Sequence, residues 1–496
     1  MKQMKKSILG MVLALALLVT AALPAAAQTD GAAKVSGQEL SEALFGALDW
    51  AKKGEDVLLN DAFLETAGIG GEWLVLAASR AGLEEDYSKY LDALTAYVQE
   101  KYNEKGSANA FSNTTDWHRI TFGILACGGD PTHVGEDANG NPINLIADGV
   151  YNRRDEKGEG VLPNQGVNAL IYGLLALDTM RYDVPADALY DRDAIIEGIL
   201  ENQTTTGGFA WFGDSSDPDM TGMAIQALAP YYSSDKVYTY TSSIQKDEDG
   251  TPLACQKTVA QVVDEAIESL VPQQLATGDL YSPWSTGPEA TVQLVIGLCS
   301  LGIDPEQDSR FLTEEGNTLI DGILRHRNGD GSFGSGGMST EQVAYTLAAY
   351  TRLRANMRDL FDFRAETDAT QFVLSANGER VCIPVTDGQT DYTVTLPAGT
   401  ASVQVVNLPL GPYDSADTAV GEVLAVTDGG VLCIEVTGRT GRATVYRLTT
   451  ALEASADSRP EETEPSPPTG VPAAASAVVL LGLSAAAVVG LGRKRG

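Results

Sequence analysis

Apolar positions recur at helical spacing through most of the chain between residues 38 and 356. The clearest example is Gln203–Tyr232, which reads as the end of one helix, a turn rich in glycine and aromatic residues, and a second helix. Asp217, Pro218 and Asp219 begin that second helix, because proline loses no hydrogen bond at the first helical position and aspartate accepts from free amides there. An apolar stripe follows, formed by Met223, Ala224, Ala227 and Leu228. The pattern predicts a helical hairpin.

The same order of turn, polar helix start and Ala/Gly/Leu-rich helix recurs in five further segments. These are Glu72–Leu83, Phe111–Pro131, Gly160–Met180, Tyr281–Pro305 and Ser332–Arg354. A small residue occupies the same helical position in all six: Ala77, Gly123, Gly173, Ala227, Gly297 and Ala348. A period of about 50 residues is typical of two-helix repeats, which bury their apolar faces only against neighbouring repeats. The longest interval contains an insertion at about residues 239–256.

Between residues 361 and 450 the pattern changes to short stretches in which apolar and polar residues alternate. They begin at Phe372, Val381, Tyr392, Ser402, Gly421, Val431 and Ala443. Turns rich in Gly, Asn and Asp separate them, which predicts a small β-sandwich. We interpret this domain as a spacer between the helical part and the C-terminal anchor.

The two ends of the chain carry patterns of export and anchoring. Residues 1–27 combine three lysines with an apolar run and end in three alanines, as a secretory signal peptide does. Residues 451–470 are rich in acid, proline and serine, which predicts a disordered stalk. The apolar segment within residues 471–496 is long enough to span a bilayer and precedes a basic tail. We therefore expect an exported protein held at the cell surface.

Two stretches resemble the QW motif of prenyltransferase and squalene-cyclase repeats: Gln203-x-x-x-Gly207-x-Phe209 and, more weakly, Arg327-x-x-x-Gly331-x-Phe333. The resemblance covers residues 40–356 and implies that six repeats close into a double ring of helices, an α/α-toroid, around a central cavity. The expected fold is therefore mainly α, a six-repeat toroid at residues 38–356 followed by a β-sandwich at residues 361–450. Such a fold by itself specifies no activity.

Residues 466–470 read Ser-Pro-Pro-Thr-Gly and precede the apolar segment. This order resembles the sortase signal of Gram-positive surface proteins, although Ser466 replaces the leucine of that family. The chain is thus expected either to undergo sortase processing and attachment to the cell wall or to stay in the membrane through its C-terminal helix. Both arrangements place the remainder of the chain outside the membrane.

The acidic composition of the chain excludes one class of partner. The chain contains 67 acidic and 34 basic residues, and its formal net charge is −33. Such a surface repels polyanions, so we expect no nucleic-acid partner. The five cysteines are scattered and imply no disulfide framework, although Cys382 and Cys433 lie on two predicted strands and could pair.

The starts of the inner helices supply the polar and aromatic residues expected at the mouth of a toroid cavity. These candidates are Asp116, Trp117, Asn168, Trp211, Asp217, Trp284, Glu289, Glu341 and Tyr345. Acids at helix starts also act as caps, so only their convergence on one cavity would indicate a binding site. Flat apolar faces beside amides and carboxylates would suit a sugar ring or a corrinoid.

Asp219 is the strongest catalytic candidate. The sequence from Asp217 to Thr221 resembles the Asp-x-Asp-Asp-Thr motif of class II terpene cyclases, with Asp219 at the protonating position and Met220 in place of the third acid. The Asp-x-Cys zinc ligands of protein prenyltransferases are missing, and the three histidines are far apart in sequence, so no metal site is expected. Stretches beginning at Asp137 and Asp247 are predicted to be turns rather than calcium loops, because neither reaches a glutamate at EF-hand spacing.

Three functions remain open. The leading one is capture of an extracellular small-molecule or glycan-like ligand; a corrinoid is included because extracellular cobalamin carriers, similar in fold, pair a toroid with a small β domain. The second is a polysaccharide lyase or hydrolase, for which Asn168, His118, Tyr172 and Arg119 could be assembled into a catalytic set, with His118 as the base. The third is terpenoid cyclisation through Asp219. No cofactor is required by the first.

Overall fold

The computed structural model describes residues 34–283, 285–355, 357–364, 371–385, 389–410, 415–437 and 443–453. The predicted signal peptide, the stalk beyond Glu453, the Ser-Pro-Pro-Thr-Gly motif, the apolar C-terminal segment and Trp284 lie outside these residues. The fold is mixed, with several small sheets, and helix at 41% of residues exceeds strand at 18%. Within the ranges given above, no helix has both the length and the apolarity needed to cross a membrane.

Twelve α-helices occur in the described part of the chain. They are α1 (Gly37–Ala51), α2 (Asp61–Leu64), α3 (Glu72–Arg80), α4 (Tyr87–Lys105), α5 (Thr114–Ala126), α6 (Val167–Asp178), α7 (Arg192–Leu200), α8 (Pro218–Leu228), α9 (Val259–Leu270), α10 (Glu289–Ser300), α11 (Leu319–Leu324) and α12 (Gly337–Arg354). A π-helical turn spans Ala147–Tyr151. Strands β1 (Val237–Lys246) and β2 (Pro252–Thr258) form an antiparallel hairpin at the predicted insertion.

Six of these helices, α3, α5, α6, α8, α10 and α12, form an inner set. Each packs against the next along the chain, and α12 packs back against α3. The small residues aligned from the sequence are all buried in this set: Ala77, Gly123, Gly173, Ala227, Gly297 and Ala348. An outer element precedes each inner helix, namely α1, α4, the turn Ala147–Tyr151, α7, α9 and α11. Five of the six units therefore contain an outer α-helix, whereas the third has a π-helical turn instead, and the inner helices contact one another in a closed order.

Three loops that join outer to inner helices share one conformation. Gly207, Gly278 and Gly331 have φ angles of 101°, 94° and 94°, in the left-handed region that favours glycine. A Cβ atom on each would crowd the backbone of the following outer element, at the carbonyl oxygens of Glu265, Thr318 and Gly46 respectively. Because Gly46 belongs to α1, the last hairpin contacts the first through the outer elements as well.

The side chain of Gln203 fixes the first of these loops. Its Nε2 donates hydrogen bonds to Gly207 O at 2.7 Å and to Glu265 Oε2 at 2.9 Å, and its Oε1 accepts from Lys257 Nζ at 2.9 Å. Phe209 is fully buried, and its amide donates to Thr221 Oγ1. The glutamine of the QW-like motif therefore stabilises the turn and links two neighbouring hairpins.

A third copy of this motif occurs at Gln274-x-x-x-Gly278-x-Leu280. Gln274 Nε2 donates to Gly278 O at 3.1 Å, and the Leu280 amide donates to Thr291 Oγ1 at 2.9 Å, as in the first copy. The sequence pattern did not identify it because leucine stands where the motif has an aromatic residue. A search that allowed any large apolar residue there would have found it.

Replacing Gln203 with alanine is expected to lower the free energy of unfolding by about 1–3 kcal/mol, because Lys257 and the buried Gly207 carbonyl each lose a partner. Urea denaturation of the full chain, followed by tryptophan fluorescence, measures this: all five tryptophans lie between residues 50 and 284, so the signal reports the helical part. Gln38→Ala is the matched control, because that exposed side chain bonds only Glu42 on its own helix. Equal losses in both variants would contradict the assigned role.

The segment that follows α12 belongs to the helical core. Leu360 and Phe361 are buried in that core, and the Phe361 ring lies 4.9 Å from that of Phe122. The Phe363 amide donates to Thr179 O at 2.9 Å, beyond the C-terminal end of α6. The predicted start of the β domain at residue 361 is therefore wrong, because these apolar residues fill space between helices instead of forming a strand.

The remaining strands form two four-stranded sheets. They are β3 (Gln371–Ala376), β4 (Glu379–Pro384), β5 (Asp391–Leu396), β6 (Ser402–Asn407), β7 (Ser415–Ala416), β8 (Val423–Ala425), β9 (Val431–Thr437) and β10 (Ala443–Leu452). The strand orders are β4-β3-β6-β8 and β5-β10-β9-β7, with β5 parallel to β10. Phe372 and Val405 of the first sheet share one core with Val394 and Ile434 of the second, as in a β-sandwich.

Two expectations about this region are corrected. Cys382 and Cys433, which could have paired, are both free, because each lies on the exposed face of its own sheet instead of facing the other sheet. Strand β10 continues to Leu452, so residues 451 and 452, predicted as stalk, pair or pack within the sheet. The alternating pattern located the strands well, but pairing across sheets depends on which face each cysteine occupies.

Candidate functional site

Side chains from the N-terminal halves of the inner helices meet at one place. The ring of Trp73 on α3 lies 5.8 Å from that of Tyr172 on α6 and 5.7 Å from that of Tyr345 on α12. Phe122 on α5 lies 5.9 Å from Trp73. These four rings form an aromatic floor between the inner helices.

Partial exposure shows which face of these helices solvent reaches. Asn168 and Tyr172 on α6, and Asp219 and Met223 on α8, are partly exposed although most residues of both helices are buried. Each pair is four residues apart and therefore shares one face of its helix. Glu341, also partly exposed, lies four residues before Tyr345 on α12. We call the set Trp73, Asn168, Tyr172, Asp219, Glu341 and Tyr345 the axial site.

Electrostatic effects place the two acids of the axial site beside its tyrosines. Burial raises the pKa of Tyr345, and the charges of Tyr172, Glu341 and Asp219 raise it further. Burial raises the pKa of Tyr172 as well, with an added contribution from Asp219. Asp219 and Glu341 therefore act on the same tyrosine from two different helices.

Both acids hold their protons unusually strongly. Burial raises the pKa of Asp219 to about 7, and the charges of Asp217 and Glu289 add to the shift. Burial raises the pKa of Glu341 to about 7 too, aided by the charge of Glu72 and opposed by that of Arg119. Near neutral pH each carboxyl is therefore close to half protonated, so either can donate or accept a hydrogen bond.

The polar groups of the axial site lack partners within the protein. In the described residues, neither carboxyl makes a hydrogen bond or ion pair, and the Tyr172 hydroxyl makes none either. The Oδ1 atom of Asn168 is buried and accepts no hydrogen bond. Buried polar groups in folded proteins are almost always satisfied by protein, water or ligand. Asn168 is such a group, and the unpartnered groups of Tyr172, Asp219 and Glu341 are partly exposed, so all four are free to contact a bound molecule.

Other predicted acids are instead committed to the scaffold. Asp116 accepts from the Asn113 amide and pairs with Arg119 at 3.0 Å. Asp217 caps α8 by accepting from the Met220 amide at 3.1 Å. Glu289 accepts from Ser285 and Ser339; burial opposes the effect, but these hydrogen bonds lower the pKa of Glu289. The carboxylates of these three acids are bonded within the protein, whereas the carboxyl of Asp219 is not.

A rim of exposed apolar side chains surrounds the same end of the inner helices. They lie in the loops before α3, α8 and α10 and in the first turn of α12: Ile69, Trp211, Phe212, Tyr281 and Met338, with exposed fractions of 69%, 46%, 79%, 56% and 64%. Trp211, predicted at the cavity, is one of these exposed side chains. Clustered exposed apolar groups often mark a binding surface.

Trp117 and His118 were predicted at the cavity and are not there. Trp117 is fully buried, its Nε1 donates to Tyr102 OH, and the Arg153 guanidinium lies 3.9 Å from its ring centre. His118 is fully buried with Nε2 2.8 Å from Gly149 O, and burial lowers the pKa of His118 to about 4. His118 as a catalytic base or ligand is therefore wrong. The lyase set cannot assemble, because helical geometry turns this side chain towards the outer elements.

Trp73 was missed by the sequence analysis. It lies in the first turn of the first predicted inner helix, but the loop before it carries glycine without an aromatic residue, so no candidate was taken from that segment. Its position on the axial face is fixed by contacts with α6 and α12, which are far away in sequence.

The predicted turns at Asp137 and Asp247 are confirmed. In each, one carboxylate oxygen accepts from the amides two and four residues further on, at Asn139 and Asn141 and at Asp249 and Thr251, with distances of 2.8–2.9 Å. Across the residues that the structure describes, no three His, Cys, Asp or Glu side chains converge to hold a metal ion.

A separate cavity of about 360 Å³ lies at the C-terminal ends of α6 and α8. Its charged side chains bond one another: Asp178 accepts from Arg192 at 2.8 Å and from Tyr231 at 2.7 Å. Arg364 similarly pairs with Asp362 in the segment after α12. These groups satisfy each other and stabilise that end of the helical part.

Relatives give no guide to this chain. No family model matches it, and no curated protein or solved structure is significantly similar to it. Function is therefore inferred from the axial site and its surroundings.

Proposed function

We propose that this chain is an exported surface protein of the prenyltransferase and squalene-cyclase repeat type, whose α/α-toroid binds a small extracellular ligand at the axial site. The closed order of contacts among six inner helices supports the toroid. The contact between Gly331 and Gly46 supports closure of the outer layer. Residues 1–27 would direct export. Residues 471–496 would anchor the chain in the membrane, or sortase processing would attach the chain to the cell wall.

One observation carries the binding function. Unpartnered groups of Asn168, Tyr172, Asp219 and Glu341 face one space above an aromatic floor, and an exposed apolar rim encloses that end. Small-molecule sites commonly combine a few polar groups with aromatic side chains. Glycan-like molecules and corrinoids both offer flat faces for the rings and hydroxyls or amides for the polar groups.

Terpenoid cyclisation is not part of this proposal. Protonation of an alkene needs a strongly acidic carboxyl that neighbouring groups hold by hydrogen bonds, whereas Asp219 has no such bond and its pKa is raised to about 7. Met220, at the position of the third acid of the motif, is buried in the scaffold. Asp219 is thus a weak acid suited to contact with a ligand.

Equilibrium dialysis of the purified full chain against cyanocobalamin and oligomers of N-acetylglucosamine tests this function. We expect one class to be retained at one molecule per chain. Tyr172→Phe should weaken that binding about fivefold, the effect of one hydrogen bond of about 1 kcal/mol. Tyr238→Phe is the matched control, because that tyrosine lies on β1 and its hydroxyl donates to Asp193 of α7. If both variants bind the ligand with equal affinity, the ligand does not bind at the axial site.

Carbohydrate hydrolysis is the second candidate. The charge of Glu289 contributes to the raised pKa of Asp219, while hydrogen bonds lower the pKa of Glu289 itself. Two neighbouring carboxyls with opposed pKa shifts are what a glycosidase uses as general acid and base. Release of reducing ends from a neutral glycan, abolished by Asp219→Asn, would establish it. No release by the wild-type chain would leave binding as the function.

A further inference from the structure

Among the described residues, no basic side chain pairs with Asp219 or Glu341 at the axial site. Arg119 is the basic residue whose charge acts on Glu341, and its guanidinium bonds Glu72, Asp116 and the Gly68 carbonyl. Its effect reaches Glu341 only as a secondary contribution, smaller than burial and the charge of Glu72. Asp219 receives no opposing charge: the charged groups that act on it, Asp217 and Glu289, are both acids.

The aromatic side chains supply a second and independent attraction for positive charge. Trp73, Tyr172 and Tyr345 present three rings whose planes are inclined by 41–60° about Trp73. The face of an aromatic ring carries negative potential and attracts ammonium groups, most strongly for tryptophan. The three rings pack against one another with Trp73 in the middle, so a cation would reach them from their exposed side. Trp73 and Tyr172 are only partly buried, so a ligand can reach them.

Glu341 lies one helical turn before Tyr345 on α12, and Asp219 lies in the first turn of α8, which packs against α6, the helix of Tyr172. Asp219 acts electrostatically on both tyrosines, and Glu341 acts on Tyr345. An ammonium group there would pair with carboxylates that now have no partner and lie against rings that favour cations. An anion would meet the like charges of Asp219, Glu341, Asp217 and Glu289. A neutral sugar would form hydrogen bonds but leave the acid charge unbalanced.

We propose that the axial site is selective for organic cations, held between the carboxylates of Asp219 and Glu341 and the partly exposed rings of Trp73 and Tyr172. Quaternary ammonium compounds, polyamines and amino sugars have the required chemistry. This inference rests on the proposed binding function and narrows it. Among glycan-like ligands it selects those that carry a free amino group, and among larger ligands those with an exposed ammonium.

Isothermal titration of the full chain with choline tests the charge requirement directly. Its control ligand is the uncharged isostere in which a tert-butyl group replaces the trimethylammonium group, so that size and hydroxyl are retained. We expect choline, spermidine or glucosamine to bind at least about tenfold more tightly than this isostere. Titration in buffers of different ionisation enthalpy should show proton release on binding, because a nearby cation favours the charged carboxylates.

Two variants test the roles of the acids and of one aromatic ring without disrupting the fold. Asp219→Asn combined with Glu341→Gln keeps size and hydrogen-bonding capacity but removes the charge, so cation binding should fall at least about tenfold and proton release should vanish. Tyr172→Leu should weaken cation binding through loss of a ring. Unchanged far-ultraviolet circular dichroism establishes that each variant is folded.

The outcomes distinguish the inference from the function on which it rests. If a neutral glycan or cobalamin binds and none of the three cations exceeds the isostere, selectivity for cations is overturned and the binding function stands. If cations bind but the charge-removing double variant binds them equally well, the assigned site is overturned. If no probe of any class is retained by the folded wild-type chain, the proposed function itself fails.

Discussion

Replacing Gly222 with alanine is expected to lower the free energy of unfolding of the helical part by about 3 kcal/mol. The added Cβ atom would lie 2.6 Å from the amide nitrogen of Leu294 and closer still to the carbonyl carbon of Gln293. Both atoms belong to the backbone of α10, which is buried along its whole length, so no side-chain rotation can relieve the contact. Helices α8 and α10 would have to move apart, and such overpacking costs about 1–3 kcal/mol or more.

Gly173→Ala is the matched control for this prediction. Gly173 also lies in a buried inner helix, but the nearest atoms to its added Cβ would be 3.5 Å away, which is ordinary van der Waals contact. Alanine there should be neutral or stabilising by up to about 1 kcal/mol, because it favours the helix over glycine. Urea denaturation followed by tryptophan fluorescence compares the two variants with the wild-type chain. Similar losses in both would show that the α8–α10 contact has no special role.

Helix positions were predictable because their causes are local. Pro218 with its flanking aspartates begins α8 as predicted, and the recurring small residues lie on the buried faces of all six inner helices. The strands of the β region follow equally from local alternation, whereas the β1–β2 hairpin was identified in the sequence only as an insertion. Features that depend on distant contacts were missed, as the burial of Phe361 against Phe122 on α5 illustrates.

The site was predictable only as a set of helix starts. Asp116, Trp117 and His118 are adjacent in sequence, yet one pairs with Arg119, one packs under Arg153 and one bonds Gly149. Successive helical residues point about 100° apart, so the face that meets the axis depends on how the helix is rotated against its neighbours. A single sequence does not contain that rotation. Only the contacts in the structure therefore distinguish the acids that bond within the protein from those of the axial site.

The free energy of unfolding of the helical part is expected to decrease as pH rises from about 6.5 to about 8, above the range in which the lowered pKa of His118 acts in the opposite direction. Asp219 and Glu341 have pKa values raised to about 7 from ordinary values of 3.8 and 4.5. In this window the folded chain retains protons that the unfolded chain has already released, so rising pH favours unfolding. Each pKa unit corresponds to about 1.4 kcal/mol; since both side chains keep some contact with water, we expect a total loss on the order of 2 kcal/mol.

The double variant Asp219→Asn with Glu341→Gln should remove most of this pH dependence and be the more stable protein at about pH 8. Urea denaturation at several pH values, followed by tryptophan fluorescence, compares it with the wild type. Asp279→Asn is the control, because the pKa of Asp279 is lowered to about 2 and its own contribution to stability changes only below about pH 5. A wild-type slope of zero, or one retained in the double variant, would contradict the assignment. A retained slope would mean that other groups take up the protons.

Loss of the slope would connect stability to ligand binding. Asp219 and Glu341 would then be the acids that weaken the folded state at neutral pH, and a bound cation would stabilise the same two carboxylates. The stability of the helical part would therefore depend on occupation of the axial site.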